Sequence, residues 1–215
     1  MKHGVLGTGM VGQAIATKLA GLGHEVKMGS RTAAGGKAAA WAKAAGAKAS
    51  SGTFAEAAAF GEVLWNCTKG EASLAALEQA GSRNLDGKIL VDVANPLDFS
   101  KGMPPSLFVC NTDSLGEQIQ RANPGAKVVK ALNTINADVM VEPGKLPGEH
   151  AVFVCGNDPG AKGRVVEILS GELGWRRVVD LGDITAARGT EAYLLLWIRL
   201  MGALGTARFN VGIVK

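Results

Sequence analysis

The sequence predicts an α/β fold in which a doubly wound, mostly parallel sheet is followed by a small C-terminal helical extension. Short apolar segments alternate with helical segments from the first residues to about residue 182. A glycine-rich turn, GTGMVG at 7–12, joins the first predicted strand to the first predicted helix. The 215 residues are enough to bury one full core. Together these observations indicate a fold of the Rossmann type.

The predicted elements follow one another with short connections. Continuous apolar runs are typical of strands buried on both faces. They predict strands at 3–6, 24–28, 47–50, 62–68, 88–93, 127–132, 150–155 and 177–181. Helices are predicted at 13–22, 36–45, 54–60, 71–80, 114–122, 161–173 and 184–204. Ser114 and Glu117 have the spacing of a capping box, and Pro124-Gly125 ends the helix that they open.

We expect two parts in the chain. Residues 1–182 are predicted to form the dinucleotide-binding domain, and residues 183–215 a C-terminal helix and tail. The centre of that helix, at 194–198, is apolar on every side. A helix of this kind must be covered, so we expect it to pack on the sheet, to complete the site of a second substrate, or to form the interface of a homodimer.

The glycine turn has the residues that a dinucleotide pyrophosphate requires. Gly7 permits a tight turn, Gly9 permits close approach of the backbone to the diphosphate, and Gly12 permits close packing of the helix on the strand. The free N–H groups and the dipole at the start of that helix provide an anion site. The backbone of Thr8, Met10 and Val11 belongs to the same predicted anion site.

The end of the second strand predicts NADP as the preferred cofactor. An NAD-binding domain has a carboxylate there, whereas this chain has Ser30 and Arg31. A guanidinium contact with a 2′-phosphate contributes roughly 1.5 to 3 kcal/mol, or about ten- to a hundred-fold in affinity. Lys37 is a weaker second candidate. The alternative is that Arg31 is a solvated loop residue.

The remaining strand ends predict the reacting end of the site, because ligands bind beyond the carboxyl ends of parallel strands. The residues at these ends are Asn66, Cys67, Thr68, Lys69, Ala94, Asn95, Pro96, Asn133 and Thr134. We expect Asn66, Thr68, Asn95 and Thr134 to orient ribose, carboxamide and a second ring, although each could instead be a strand cap. No catalytic residue is certain, and Asn95 and Thr134 are the candidates.

Few groups at this edge could transfer a proton. All three histidines, at 3, 24 and 150, precede or begin predicted strands, so we expect them on the opposite edge. Lys69 could donate a proton, but a lysine in such a loop is more often solvated. A site of this kind suits hydride exchange between two bound carriers, where the protein supplies alignment and excludes water.

Composition excludes several other classes. The net charge of +4 is spread along the chain without a basic, aromatic stripe, so we expect no nucleic-acid partner. The apolar stretch at 192–204 is interrupted by Arg199 and is too short to span a membrane. Three cysteines without C-x-x-C spacing indicate reduced thiols in the cytoplasm, and we expect no metal site.

Five segments together resemble the NADPH-dependent reductases of the deazaflavin coenzyme F420. They are GTGMVG at 7–12, MGSRT at 28–32, DVANPL at 92–97, PGAKVVKALNTI at 124–135 and DLGDITAAR at 180–188. The resemblance implies that Ser30 and Arg31 hold the 2′-phosphate and that residues 8–11 hold the pyrophosphate. It also implies that the nicotinamide and the deazaflavin are framed by the loops at 66–68, 94–96 and 133–137. Ala137 is thereby added to the predicted cofactor-binding residues. The cytosolic domain of six-transmembrane metalloreductases is similar as well.

Two positions depart from the family pattern. The basic residue expected early in the second helix is displaced to Lys37, and Leu132 replaces an aromatic residue. The second carrier therefore stays open between coenzyme F420 and a flavin. Further alternatives are a ferric chelate, a small imine or carbonyl substrate, and a module that senses NADPH without turnover.

Overall fold

A computed structural model describes residues 1–32 and 36–214 of the chain. Its main sheet has eight strands in the order β10-β9-β8-β5-β4-β1-β2-β3. These strands are β1 (Lys2–Leu6), β2 (Glu25–Ser30), β3 (Ala49–Thr53), β4 (Val63–Asn66), β5 (Ile89–Asp92), β8 (Lys127–Ala131), β9 (Val152–Gly156) and β10 (Val178–Asp180). The α/β fold with a mostly parallel sheet is thus confirmed.

Helices cover both faces of this sheet. They are α1 (Met10–Gly21), α2 (Gly36–Ala45), α3 (Phe54–Phe60), α4 (Gly70–Ala80), α5 (Ser82–Leu85), α6 (Leu115–Ala122), α7 (Ala137–Val141), α8 (Pro159–Glu167) and α9 (Ala187–Leu204). One buried cluster joins the sheet to α1, α2, α7 and α8, and a second joins it to α3, α4 and α6. The three-layer arrangement leaves the carboxyl ends of the parallel strands open to ligand.

Strand β9 runs antiparallel to β8, with Val154 opposite Ala131, and β10 is parallel to β9. The residues that precede β9 therefore lie beyond the carboxyl end of β8. The expectation that every histidine lies on the opposite edge is wrong for His150. An apolar run of this length does not specify strand direction, which depends on the path of the connection.

Helix α1 begins at Met10, three residues earlier than the amphipathic pattern predicts. Gly7 has a φ of +119°, and Gly9 is extended at the helix N-cap, so the chain enters the helix directly from the turn. Helix-pattern reasoning discounts glycine, and it therefore placed the start after Gly12. The earlier start leaves the first N–H groups of α1 at the glycine turn.

Several further elements were not predicted as such. A two-stranded antiparallel hairpin, β6 (Leu97–Asp98) with β7 (Ser106–Leu107), follows β5. The short helices α5 and α7 lie in segments that carry no long periodic pattern. The first three residues of the predicted final helix, Ile184–Ala186, form a 3₁₀ turn, and α9 begins directly after them at Ala187.

Helix α9 is buried on one side only. Thr190, Glu191 and Leu194 are buried, whereas Leu195 and Leu196 are 42% and 55% exposed. In the single chain only one side of this helix is covered, so the homodimer interface expected for its outer face stays a prediction. None of the helices within 1–32 and 36–214 is long and apolar enough to cross a membrane.

Candidate functional site

A cleft of about 1090 Å³ opens at the carboxyl ends of β1, β2 and β4. Its lining includes eight residues predicted to bind the cofactor: Gly7, Thr8, Gly9, Ser30, Arg31, Lys37, Cys67 and Thr68. The strand order explains this grouping, because β2 and β4 flank β1 on either side. The cleft therefore runs from the glycine turn to the strand end that carries Arg31.

The glycine turn has the steric features expected of a diphosphate site. A Cβ at Gly7 would lie 2.5 Å from the carbonyl oxygen of Cys67, and one at Gly12 would lie 2.2 Å from the carbonyl oxygen of Gly7. A Cβ at Gly9 would meet no protein atom within 4 Å. Gly7 and Gly12 are thus required by packing, whereas Gly9 leaves space for a ligand.

The N-terminus of α1 is open to an anion. Its N-cap residue, Gly9, has no side chain to cap the first N–H groups, and the first turn contains no acidic residue. The positive end of the helix dipole therefore faces the cleft without a protein carboxylate to neutralise it.

The other end of the cleft presents hydroxyl and basic groups. Arg31 and Lys37 are exposed, and both line the cleft. The hydroxyl of Ser30 donates to the carbonyl oxygen of Thr32 at 2.6 Å, so its oxygen can still accept a hydrogen bond. This end of the cleft suits a phosphate group.

A smaller pocket of about 230 Å³ continues the cleft toward β5. It shares Cys67, Thr68, Lys69 and Glu71 with the larger cleft. Its remaining lining is largely apolar and consists of Val11, Gly70, Val93, Ala94, Asn95, Leu97 and Phe99. Strand β6 of the unpredicted hairpin supplies Leu97, and Phe99 directly follows that strand. We call this space the apolar pocket.

Asn66 does not face either space, contrary to prediction. Its side chain is fully buried, and its Nδ2 donates to Asp92 Oδ1 at 2.8 Å and to Ser73 Oγ at 3.1 Å. Its Oδ1 accepts from the hydroxyl of Thr68 at 2.7 Å. All polar atoms of this side chain are paired within the protein, so the Asn66 amide supports Thr68.

Asn95 and Asn133 form a reciprocal pair. Asn133 Nδ2 donates to Asn95 Oδ1 at 2.9 Å, and Asn95 Nδ2 donates to the carbonyl oxygen of Asn133 at 2.8 Å. Asn133 is 3% exposed, whereas Asn95 lines the apolar pocket. One N–H of the Asn95 amide has no partner within this pair.

Several predicted residues lie behind the wall of the site. Thr134 is only 2% exposed, so its hydroxyl is not presented to a reacting ring as predicted. Leu132 precedes it with a φ of +64°, a left-handed conformation that no sequence pattern indicated for a leucine. The predicted residues outside the lining of both spaces are Met10, Gly12, Asn66, Pro96, Asn133, Thr134 and Ala137.

Sequence reasoning missed a buried charge network beneath the apolar pocket. Lys130 is fully buried between Asp92 Oδ2 and Glu191 Oε1, each at 2.7 Å. Burial opposes the charge of Lys130, but the two carboxylates outweigh it and raise its pKa. Burial also raises the pKa of Glu191, and Lys130 offsets part of that effect. The signal in the sequence is a charged residue inside an apolar segment, Lys130 in the strand and Glu191 in the helix.

The Cys67 thiol in the cleft is not activated, and the Lys69 side chain beside it is solvated. Burial, with a contribution from Asp92, raises the pKa of the Cys67 thiol far above its ordinary value, so the thiol stays protonated. The Lys69 side chain is 85% exposed and lies 4.0 Å from Glu71. Among the described residues, no three His, Cys, Asp or Glu side chains gather as they would around a metal ion.

The histidines serve other parts of the fold. His3 is fully buried and accepts from Trp65 Nε1 at 3.1 Å, while His24 pairs with Glu172 at 2.8 Å. His150 lies on the cofactor edge, but its ring contacts Pro143 and the Asn210 amide, outside the lining of the cleft.

The chain is similar to several known proteins. The family model "NADP oxidoreductase coenzyme F420-dependent" matches residues 2–96. A crystal structure assigned as an F420-dependent NADP-reductase from Arthrobacter sp. FB24 is 54% identical with a TM-score of 0.95, and the match covers 100% of both chains. The metalloreductase STEAP3 of Rattus norvegicus is 32% identical over 193 residues, which are 89% of this chain and 36% of that protein.

A more distant likeness concerns the fold alone. A reductive aminase from Aspergillus terreus, solved with NADPH and ethyl levulinate, has a TM-score of 0.67 at 22% identity, over 95% of this chain and 62% of that one. The match with the Arthrobacter protein extends over the whole chain and includes every segment that forms the cleft. The chain therefore belongs to the coenzyme F420-dependent NADP oxidoreductase family and is an NADP oxidoreductase.

Proposed function

We propose that this enzyme transfers a hydride between the nicotinamide of NADP(H) and a deazaflavin, coenzyme F420, or a flavin-like carrier. The observation that carries this proposal is the continuity of two unlike spaces. An open helix N-terminus and Arg31 lie in one of them, and an apolar pocket edged by one amide follows directly. That length and polarity suit a dinucleotide whose reacting ring enters the apolar pocket.

The phosphate groups of NADP fit the larger cleft. The first N–H groups of α1 would hold the pyrophosphate, in the space that Gly9 leaves open. Arg31, with Ser30 and Lys37, would hold the 2′-phosphate. Because no carboxylate ends β2, nothing at this point of the cleft repels that phosphate.

The apolar pocket would contribute alignment and exclusion of water. The nicotinamide supplies or accepts the hydride when it is bound. Val11, Val93 and Phe99 would exclude water from the rings, and the spare N–H of Asn95 would orient a carboxamide or a carrier carbonyl. The carrier takes up one proton at a ring nitrogen together with the hydride, and this proton would come from solvent, so no protein side chain is assigned as a general acid.

Binding measurements test the cofactor preference. We expect wild type to bind NADPH more tightly than NADH, and Arg31→Ala to lose about ten- to a hundred-fold in NADPH affinity with little change for NADH. Lys27→Ala is a suitable control, because it removes a positive charge from the same strand outside the cleft. Equal wild-type affinities for the two nucleotides would contradict the proposal.

Reduction of a ferric chelate is a second candidate, and the 32% identity to the metalloreductase favours it. This chain spans only about a third of that protein's length, so the activity of the whole metalloreductase is not implied. Anaerobic oxidation of NADPH should be compared with coenzyme F420, FMN, ferric citrate and a cyclic imine as acceptors. Turnover confined to ferric citrate or to the imine would replace the carrier that we propose.

We further propose that the enzyme is a cytoplasmic homodimer. We also propose that residues 1–182 are the NADP-binding domain and that residues 183–215 complete the site of the second substrate or the dimer interface. The exposed Leu195 and Leu196 give α9 an apolar outer face that a second copy would cover. Sedimentation of wild type and Leu196→Glu tests this interface. A monomeric wild type would exclude it.

A further inference from the structure

The buried charge network contacts the wall of the apolar pocket directly. Besides its two carboxylate partners, the Lys130 ammonium donates to the carbonyl oxygen of Ala94 at 2.6 Å. Ala94 lines the apolar pocket. One fully buried ammonium group therefore joins β5, β8 and α9 immediately behind the place proposed for the nicotinamide.

Glu191 fixes its side of this network to a helix N-terminus. Its carboxylate accepts from the backbone N–H of Leu115 at 2.8 Å and of Gly116 at 3.0 Å, which are the first residues of α6. With Lys130, these donors compensate a carboxylate that is 1% exposed. Since each partner of a buried charge is needed, the geometry of the network is tightly constrained.

A second link runs from the neighbouring residue of α9 to Asn95. Asn133 Nδ2 donates both to Asn95 Oδ1 and to the carbonyl oxygen of Thr190, the latter at 3.0 Å. Thr190 and Glu191 are consecutive in α9. The segment after β5, which edges the apolar pocket, and the segment after β8, which lies behind it, are thus held to the same turn of one helix.

We propose that residues 190–191 of α9 are a positioning element for the nicotinamide end of the site. Glu191 fixes Ala94 through Lys130, and the Thr190 carbonyl fixes the Asn95 amide through Asn133. Lys130, Asn133 and Glu191 are positioning residues, because they lie outside the lining of the pocket. This inference rests on the proposed function, since the orientation of Asn95 matters only when a ring occupies the pocket.

The magnitude of the effect follows from the geometry of hydride transfer. The reacting atoms must approach within about 3 to 3.5 Å, and a displacement of about 1 Å can reduce the rate about a hundred-fold. The phosphate sites lie on β1, β2 and α1, which the network does not touch. Its loss should therefore change turnover far more than cofactor affinity.

The test compares Glu191→Gln and Lys130→Met with Lys127→Met. Lys127 is a matched control, because it lies on the same strand in an exposed ion pair with Asp158. Three quantities are measured on the full chain: the dissociation constant of NADPH, kcat with coenzyme F420 and with FMN, and amide hydrogen exchange. Should Lys130→Met not fold, Glu191→Gln decides, because it keeps the size of the side chain.

We expect kcat to fall about ten-fold or more while the NADPH dissociation constant stays within about three-fold. Amides of residues 93–95, 97 and 132–135 should exchange faster, with those at 26–30 unchanged, and Lys127→Met should match wild type. Amide hydrogen exchange can be measured without a hydride acceptor. It therefore decides the positioning role by itself if the enzyme reduces neither coenzyme F420 nor FMN.

Two results would overturn the positioning role. One is a folded Glu191→Gln with wild-type exchange in both segments, and the other is faster exchange throughout the sheet with parallel loss of NADPH affinity, which indicates a purely structural role. If wild type binds and oxidises NADPH while the variants match it, only the positioning role fails. If wild type binds no NADPH, the proposed function fails and the positioning role fails with it.

Discussion

Lowering the pH should destabilise this enzyme through one buried histidine. His3 is fully buried at the start of β1, and burial, followed by repulsion from His24, lowers its pKa from 6.5 to about 3. The N-terminal amine and Arg164 act in the same direction, while Glu62 opposes them. Its Nδ1 accepts from Trp65 Nε1, which favours the neutral ring. The folded protein therefore holds this histidine uncharged over most of the acidic range.

The size of the effect follows from the two pKa values. Below pH 6.5 the unfolded chain binds a proton that the folded chain does not, so stability falls as the pH falls from 6.5 toward 3. Each pH unit in that window costs about 1.4 kcal/mol, which gives about 2 kcal/mol at pH 5. At pH 5 the unfolded pKa sets this figure, because the folded value lies well below that pH.

Urea unfolding at pH 7.5 and pH 5, followed by tryptophan fluorescence, measures this loss. His3→Asn keeps an acceptor for Trp65 and removes the titrating group, so it should lose about 2 kcal/mol less than wild type over the same interval. Carboxylates act mainly at lower pH. Asp113 is an example, because its hydrogen bonds with Arg121 lower its pKa to about 2. An equal loss in His3→Asn and wild type would refute this reasoning.

Three further predictions concern the turn, a helix cap and the apolar pocket. Gly12→Ala should destabilise the fold in urea unfolding, because its Cβ would lie 2.2 Å from the carbonyl oxygen of Gly7. Gly9→Ala should unfold like wild type in urea, but it should weaken NADPH binding in fluorescence titration. Thr53→Ala removes the side-chain cap of α3 and should lower the free energy of unfolding by about 1 kcal/mol, which Thr53→Ser should restore. Asn95→Ala should reduce kcat while NADPH affinity stays within about three-fold, and a parallel loss of both would contradict its assigned place.

The sequence predicts those parts of the candidate site that depend only on one strand end and the few residues after it. Gly7, Gly9, Arg31 and Asn95 were identified from the sequence, and the structure places all four in the lining of the cleft or pocket. Asn66 also follows that pattern, yet its amide is turned inward to Asp92. A sequence pattern states which residue ends a strand, but the direction of the side chain depends on neighbours far along the chain.

The buried network illustrates the same limit more strongly. Lys130 stands in an apolar strand and Glu191 in an apolar helix, and each alone would be expected to reach solvent. Their pairing requires β5, β8 and α9 to meet, which no local pattern encodes. The antiparallel direction of β9, which moved His150 to the cofactor edge, has the same origin.

The sequence by itself determined the alternation of strands and helices, the glycine turn and the basic end of β2. These features depend on sterics, periodicity and charge within a few residues, so local chemistry suffices to specify them. Only the tertiary structure decided which amides face the pocket, where the hairpin closes it and how α9 is joined to its wall. Those properties depend on contacts between segments distant in sequence, and burial, not residue type, determines which polar groups there pair with one another and which remain for a ligand.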